Sequence, residues 1–206
     1  MRIFEKVMIA LFILGIVFQL SVLPGGALFI GISLAMLATI YFNFSFLLFN
    51  GLELRNIFKK SNYTNLNALD VIITFFAGLS LSIALVGVMF YLLVLPGSAI
   101  MLIVGKGGLF LCTVGFLILF LNKKMGSAKR SLIRIIPVLI ICLWISTLEK
   151  YSWIEYRYRE YPDYANAYKN ALEAENIGVE EANRMYEILE IEREKMEEER
   201  NKRDSQ

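Results

Sequence analysis

Gly15-Ile16-Val17-Phe18-Gln19-Leu20-Ser21-Val22-Leu23-Pro24-Gly25-Gly26-Ala27 decides the fold, because the stretch occurs twice. Seventy-two residues later the chain reads Gly87-Val88-Met89-Phe90-Tyr91-Leu92-Leu93-Val94-Leu95-Pro96-Gly97-Ser98-Ala99, identical at eight of thirteen positions. Each copy joins the end of one long apolar block to the start of the next. Proline stops a helix by removing a donor and crowding the preceding turn, and glycine supplies the left-handed dihedral needed for reversal. The repeated unit therefore reads as a helical hairpin turning at Pro24-Gly25 and again at Pro96-Gly97. Arg2 and Lys6 ahead of a short apolar run imitate a secretory leader. The same turn at Pro96, far inside the chain, favours a retained first helix instead.

Working outward, the apolar blocks are residues 7–23, 27–49, 71–95, 99–121 and 132–148, each 17 to 25 residues long. A helix rises 1.5 Å per residue, so such lengths cover a hydrocarbon core of about 30 Å. The composition agrees: 57% of the 206 residues are hydrophobic and mean hydropathy is +0.56, too apolar for a soluble domain of this size. Strict in-out alternation is absent, which argues against a transmembrane barrel. The expected architecture is an all-α integral membrane protein, with a duplicated helical hairpin, one further span, and a soluble helical-hairpin tail. In segments, this is a first transmembrane hairpin over 1–50, a basic loop over 51–70 and a second hairpin over 71–121. A second basic loop over 122–131, a fifth span over 132–148 and an acidic tail over 149–206 follow.

Charge orients the spans. Residues 1–148 hold eleven Lys or Arg against three Asp or Glu, a net +8, and residues 149–206 hold ten against sixteen, a net −6. The two Pro-Gly turns carry no charge. Arg2, Lys6, Arg55, Lys59, Lys60, Lys123, Lys124, Lys129, Arg130 and Arg134 all fall at the opposite ends of the blocks. By the positive-inside rule that side is cytoplasmic, which puts the N-terminus inside and the tail outside. Two hairpins entering from the same face make a parallel repeat about an axis along the membrane normal. Tyr41, Phe42, Phe44, Phe46 and Phe49, and then Tyr151, Trp153, Tyr156 and Tyr158, read as interfacial aromatic belts.

The tail turns polar yet stays helix-prone. Pro162-Asp163 signals a helix start and Asn176-Ile177-Gly178 a stop. Tyr164, Tyr168 and Leu172 share one face of the first tail helix, and Val179, Ala182, Tyr186 and Leu189 follow a 3-4-3 pattern on the second. These seven residues form a candidate partner face, with residues 190–203 expected to trail off as a charged, fraying extension.

Few residues carry chemistry. No histidine is present, which removes His-based metal sites, Ser-His-Asp catalysis and imidazole relays together. Cys112 and Cys142 sit inside apolar blocks as small unpaired hydrophobes. No nucleophile-base pair, carboxylate dyad, metal cluster or nucleotide loop can be assembled, so neither an enzyme nor a cofactor is expected, and no nucleic-acid partner. The intramembrane charge that stands out is Lys106, flanked by Gly105, Gly107 and Gly108. It admits two readings: a lysine snorkelling to the headgroups or to Glu149, or one paired with an acid of a partner subunit. Gly105-Lys106-Gly107-Gly108 lacks the spacing of a phosphate loop. Arg134 and Asp70 read as interface anchors, and Gln19 and Tyr91 as matched positions for helix-to-helix hydrogen bonds. Gly15 and Gly87, each one turn before Phe18 and Phe90, read as packing notches.

The pattern Gly-x-x-Phe-x-x-x-x-x-Pro-Gly resembles the transmembrane hairpin of the L subunit of the gliding-motility and type 9 secretion motor of Bacteroidota. In that family the segment typically reads Gly-x-x-Phe-Lys-x-x-His-Trp-Pro-Gly. Gly15, Phe18, Pro24 and Gly25 match it, as do Gly87, Phe90, Pro96 and Gly97. The lysine is replaced by Gln19 and Tyr91, the histidine by Val22 and Val94, and the tryptophan by Leu23 and Leu95. The resemblance covers two stretches of about fifteen to thirty residues and does not extend to the fifth span or the tail. It implies a Bacteroidota source and a multi-pass place in the inner membrane. With the polar residues gone, proton-driven motor activity does not carry over. The expected function is a non-enzymatic scaffold or accessory subunit of an envelope complex, in contact with the lipid bilayer and with another envelope protein. The competing expectation is a transporter or channel for a small, anionic solute.

Overall fold

The computed structural model describes residues 2–21, 23–52, 68–95, 97–121, 128–148, 151–174 and 177–204. Val22, Pro96, Glu149 and most of both basic connections lie outside them. The described residues form helices without strands and divide into two units, 1–147 and 148–206.

The first unit holds α1 (Arg2–Leu20), α2 (Gly26–Asn50), α3 (Ala68–Leu92), α4 (Ser98–Leu121) and α5 (Ala128–Thr147). All five are long and apolar enough to cross a membrane. α3 and α5 both begin before their apolar blocks, at 68 rather than 71 and at 128 rather than 132. The corrected start of α5 has a simple cause: Lys129, Arg130 and Ser131 propagate a helix without being apolar. Hydropathy marks where lipid begins, not where the helix does. α5 runs through Pro137 as one helix.

The two turns use the same bonds. Leu23 N–H donates to the Phe18 carbonyl at 2.8 Å, and Leu95 N–H to the Phe90 carbonyl at 2.7 Å. Gly25 and Gly97 both take left-handed φ values, 92° and 84°. The helices then approach closely at glycine. A Cβ on Gly15 would lie 2.9 Å from the Ile30 backbone nitrogen, and one on Gly87 2.9 Å from that of Leu102. Phe18 adds an edge-on contact with Phe29, ring centroids 5.6 Å apart.

α3 is the most buried of the five helices and packs against α2, α4 and α5. Its core face carries Ala77, Leu81, Ala84 and Val88. α2 closes on it at Gly78, where a Cβ would strike Ser45 and the Tyr41 carbonyl. α4 closes on it at Gly105, where a Cβ would come within 2.6 Å of the Ala84 backbone. α2 ends in a left-handed Gly51, with Leu52 N–H bonded to the Leu47 carbonyl at 2.9 Å. From α5, Arg130 donates to the Asn50 carbonyl at 3.2 Å, a cation set where the helix dipole favours one.

The second unit holds α6 (Ser152–Arg157), α7 (Pro162–Ala174) and α8 (Val179–Asp204). α7 and α8 pack as the expected helical hairpin, and α7 begins at Pro162. The closing face shares Tyr164, Ala182 and Leu189 with the expected one and departs from it elsewhere. Ala165, Ala167, Ala171 and Ala174 are buried beside Tyr164, while Tyr168 and Leu172 are half-buried. On α8 the inward residues are Ala182, Met185, Leu189, Glu192 and Met196, and Val179 and Tyr186 are exposed. The alanine face explains the shift: small side chains let α8 lie close, and a 3-4-3-4 row seats better there than bulky Tyr186. Nor does α8 fray after Glu190. It continues to Asp204, and Arg203 both pairs with Glu160 at 3.4 Å and covers the Tyr161 ring.

Candidate functional site

Three residues distant in sequence meet inside the membrane unit. Glu5 lies one turn into α1, Tyr41 in the second half of α2, and Arg134 two turns into α5. Arg134 Nε donates to Glu5 Oε1 at 2.7 Å and Nη2 donates to Oε2 at 3.1 Å, a bidentate fork. The Tyr41 hydroxyl donates to the same Oε1. Glu5 is 7% exposed and Tyr41 4%. The Tyr41 ring lies on Phe49, centroids 6.3 Å apart, and Arg134 Nη1 reaches the Arg130 carbonyl at 3.2 Å.

Depth makes the cluster consequential. Glu5 and Tyr41 each lie fifteen residues from the Pro-Gly end of their helix, and Arg134 thirteen from the end of α5. At helical rise all three lie about 20 Å from that end, level with one another. A charge buried among apolar side chains is costly unless it is paired and hydrogen-bonded. The fork removes most of that cost by matching a planar guanidinium to a carboxylate, with the phenol completing the shell. Arg134, expected as an interface anchor, is thus engaged by Glu5, and Tyr41, expected in an aromatic belt, is buried against the same carboxylate. α1, the least buried of the five, is tied to α5 by this pair as well as to α2 by packing.

Lys106 lies on α4, and its Nζ donates to Ser146 Oγ on α5 at 2.8 Å. Ser146 Oγ in turn donates to the Cys142 carbonyl at 2.7 Å. Ser146 is next to last in α5, so the lysine stem carries its ammonium from eight residues inside α4 to the end of α5. Its immediate partner is thus a hydroxyl of the same chain. The flanking glycines divide by role. Gly105 and Gly108 face Ala84 and Ser80 of α3, and Gly107 is open. Cys142 is buried and Cys112 partly so, both as free thiols. The Tyr91 hydroxyl is buried with no hydrogen-bond partner among the described residues, so the helix-to-helix bond its position suggests is not made.

In the tail, Tyr158, Tyr164 and Tyr168 form a ring cluster, with centroids 4.7 Å apart for Tyr158–Tyr164 and 6.0 Å for Tyr164–Tyr168. Burial, and then the neighbouring Tyr158 and Tyr168, push the Tyr164 hydroxyl well above the usual phenol range. Along α8, hydrogen bonds donated to Glu197 and Glu192 raise Arg193 and Lys195 respectively. The candidate partner residues thus split between a sealed seam and an exposed remainder at Val179 and Tyr186.

Compared with family models, with curated proteins and with solved structures, the chain matches none.

Glu5 is the functional residue that reading the sequence missed. Standing between Arg2 and Lys6, it passes for part of a charged helix start. The available signal was its sign: an acid within the first span, among cations, needs a cation partner at its own depth. Arg134, six residues inside α5, supplies one.

Proposed function

We propose that this chain is a non-enzymatic scaffold or accessory subunit of a bacterial envelope complex, held in the inner membrane and meeting a partner through its tail. The observation that carries the reading is that the buried acid of the membrane unit is taken up within the chain. Both Glu5 oxygens are engaged by Arg134, and one of them also by Tyr41. A site that binds or moves a solute keeps groups in reserve, and this cluster spends its own on joining three helices. The two Pro-Gly hairpins are copies of one unit, related about the membrane normal. Their matched turn bonds and glycine contacts support this. The ten cations at the ends opposite the Pro-Gly turns support a cytoplasmic N-terminus and a periplasmic tail.

Two experiments test the proposal. Tagged full-length chain and a version ending at residue 148 are purified in mild detergent. Loss of one defined co-purifying envelope protein from the shorter form, with its membrane unit still folded, is the expected result. Equal recovery from both forms contradicts a role for the tail. For orientation, Ser98→Cys and Glu190→Cys in a Cys112/Cys142-free background should label from outside intact cells, and Ser127→Cys only after permeabilisation.

A second reading rests on the same cluster. An acid, a cation and a phenol buried at membrane depth are also the parts of an ion-coupled transporter. Solute flux in proteoliposomes that Glu5→Gln abolishes would favour that reading over the scaffold.

A further inference from the structure

Lys106 and Ser146 mark a second polar point on the membrane unit, apart from the buried fork. An ammonium has three N–H donors, and Ser146 Oγ accepts one. The other two have no acceptor among the described residues. Lys106 is half-buried and Ser146 exposed, so the pair opens toward the bilayer from the seam between α4 and α5. Its depth is set twice over. Ser146 lies one residue from the end of a 20-residue span, which by length reaches the edge of the hydrocarbon core. Trp144, exposed two residues earlier, is the side chain that typically sits at headgroup level.

The surroundings below that point are apolar. Ile103 and Phe110 share the Lys106 face of α4 at spacings of three and four, and Leu143 shares the Ser146 face of α5 at three; all three are exposed. Beside Lys106, Gly107 leaves a notch, with no atom within 4 Å of where a Cβ would stand. A cation with unspent donors at headgroup depth, above exposed apolar side chains, matches one chemistry. We propose that Lys106 and Ser146 bind the phosphodiester of an anionic phospholipid, whose acyl chain lies along Ile103, Gly107 and Leu143. A free phosphate offers nothing to cover those side chains, so the lipid is the occupant. The first hairpin does not repeat the site, because its corresponding residue, Leu34, is buried in the core.

The test uses the full chain, purified in detergent and titrated with phosphatidylglycerol, phosphatidylcholine or inorganic phosphate. Retained lipid is read by native mass spectrometry and the thermal midpoint alongside it. Phosphatidylglycerol should be retained and raise the midpoint, with phosphatidylcholine and phosphate doing neither. Lys106→Gln should lower phosphatidylglycerol retention by about tenfold, the size of a lost charge-assisted hydrogen bond. Lys129→Gln, at the opposite end of the bundle, should leave retention unchanged, and Lys106→Arg should keep most of it. Equal retention in Lys106→Gln and wild type overturns the site. Protection by inorganic phosphate equal to that by lipid overturns the lipid as occupant. Glu149→Gln is measured in parallel: a rise in retention would mean that this acid already holds Lys106 in the native protein, and overturns the proposal as well.

Discussion

The two Pro-Gly hairpins begin alike and part company toward their other ends. Each turns through a left-handed glycine, and each closes its helices at a glycine one turn before a phenylalanine. Beyond that point α3 and α4 stay close through Gly105 and Gly108, whose counterparts 72 residues earlier are Ser33 and Met36. In the first hairpin, Glu5 and Tyr41 join α1 to α2 where the second carries Ala77 and Thr113. At the position where α2 buries Leu34, α4 offers Lys106 to α5. The second hairpin is closed along its length by small residues and contributes the most buried helix, α3. The first contributes the least buried, α1, which is fixed by a buried ion pair. The comparison teaches that a shared turn sets the hairpin, while its place in the bundle decides where charge is tolerated.

The largest effect should come from breaking the fork. Glu5→Ala or Arg134→Ala leaves a charge stranded in an apolar site, at a cost of roughly 3–5 kcal/mol. Thermal unfolding in detergent should show a collapse of yield and midpoint in both. Replacing the pair together, as Glu5→Leu with Arg134→Met, should recover most of the loss, because no charge is left uncompensated. Tyr41→Phe should cost less, about 1–3 kcal/mol, since it removes one bond to a charged group.

Overpacking comes next and treats the hairpins alike. Gly15→Leu and Gly87→Leu each drive a side chain into a neighbouring backbone, and each should lose about 1–3 kcal/mol. A large loss at Gly87 with none at Gly15 would show that α1 is free to move off α2. Alanine sharpens the contrast within one turn of α4. Gly105→Ala meets the Ala84 backbone at 2.6 Å and should destabilise. Gly107→Ala meets nothing and should gain up to about 1 kcal/mol of helix propensity.

Much of this architecture is legible in the sequence, for local reasons. A Pro-Gly pair after a long apolar run states a turn by itself, and the glycine one turn before phenylalanine states a close approach. The fork is not legible, because its members stand 36 and 129 residues apart. Nothing in the spacing of Glu5, Tyr41 and Arg134 says that three helices will bring them level. The tail's face is only partly legible, for a different reason. Val179 and Tyr186 fit an apolar period, but burial followed the alanines of α7, whose smallness decides how close α8 comes. Met185 and Met196 then fill the irregular space between the helices.

The smallest expected effect lies in that tail. Because Tyr164 is raised in the fold, its stabilising contribution is complete below the unfolded phenol value of about 10 and is lost as pH climbs past it. Lys195, also raised, shifts stability in the same direction. The thermal midpoint of the tail should fall between about pH 9 and pH 11, and Tyr164→Phe should fall less over that window. A membrane unit that softens first over the same range would move the sensitivity away from the tyrosine cluster.

Charge reversal puts the fork itself to the test. Glu5→Arg alone and Arg134→Glu alone each set two like charges together at depth, and neither chain should accumulate in the membrane. The double variant restores an opposite pair in the same place, and should return a folded protein with a thermal midpoint well above either single change. Single variants as stable as wild type, or a double variant no better than its parents, would mean that Glu5 and Arg134 do not meet and that α1 is held by other means.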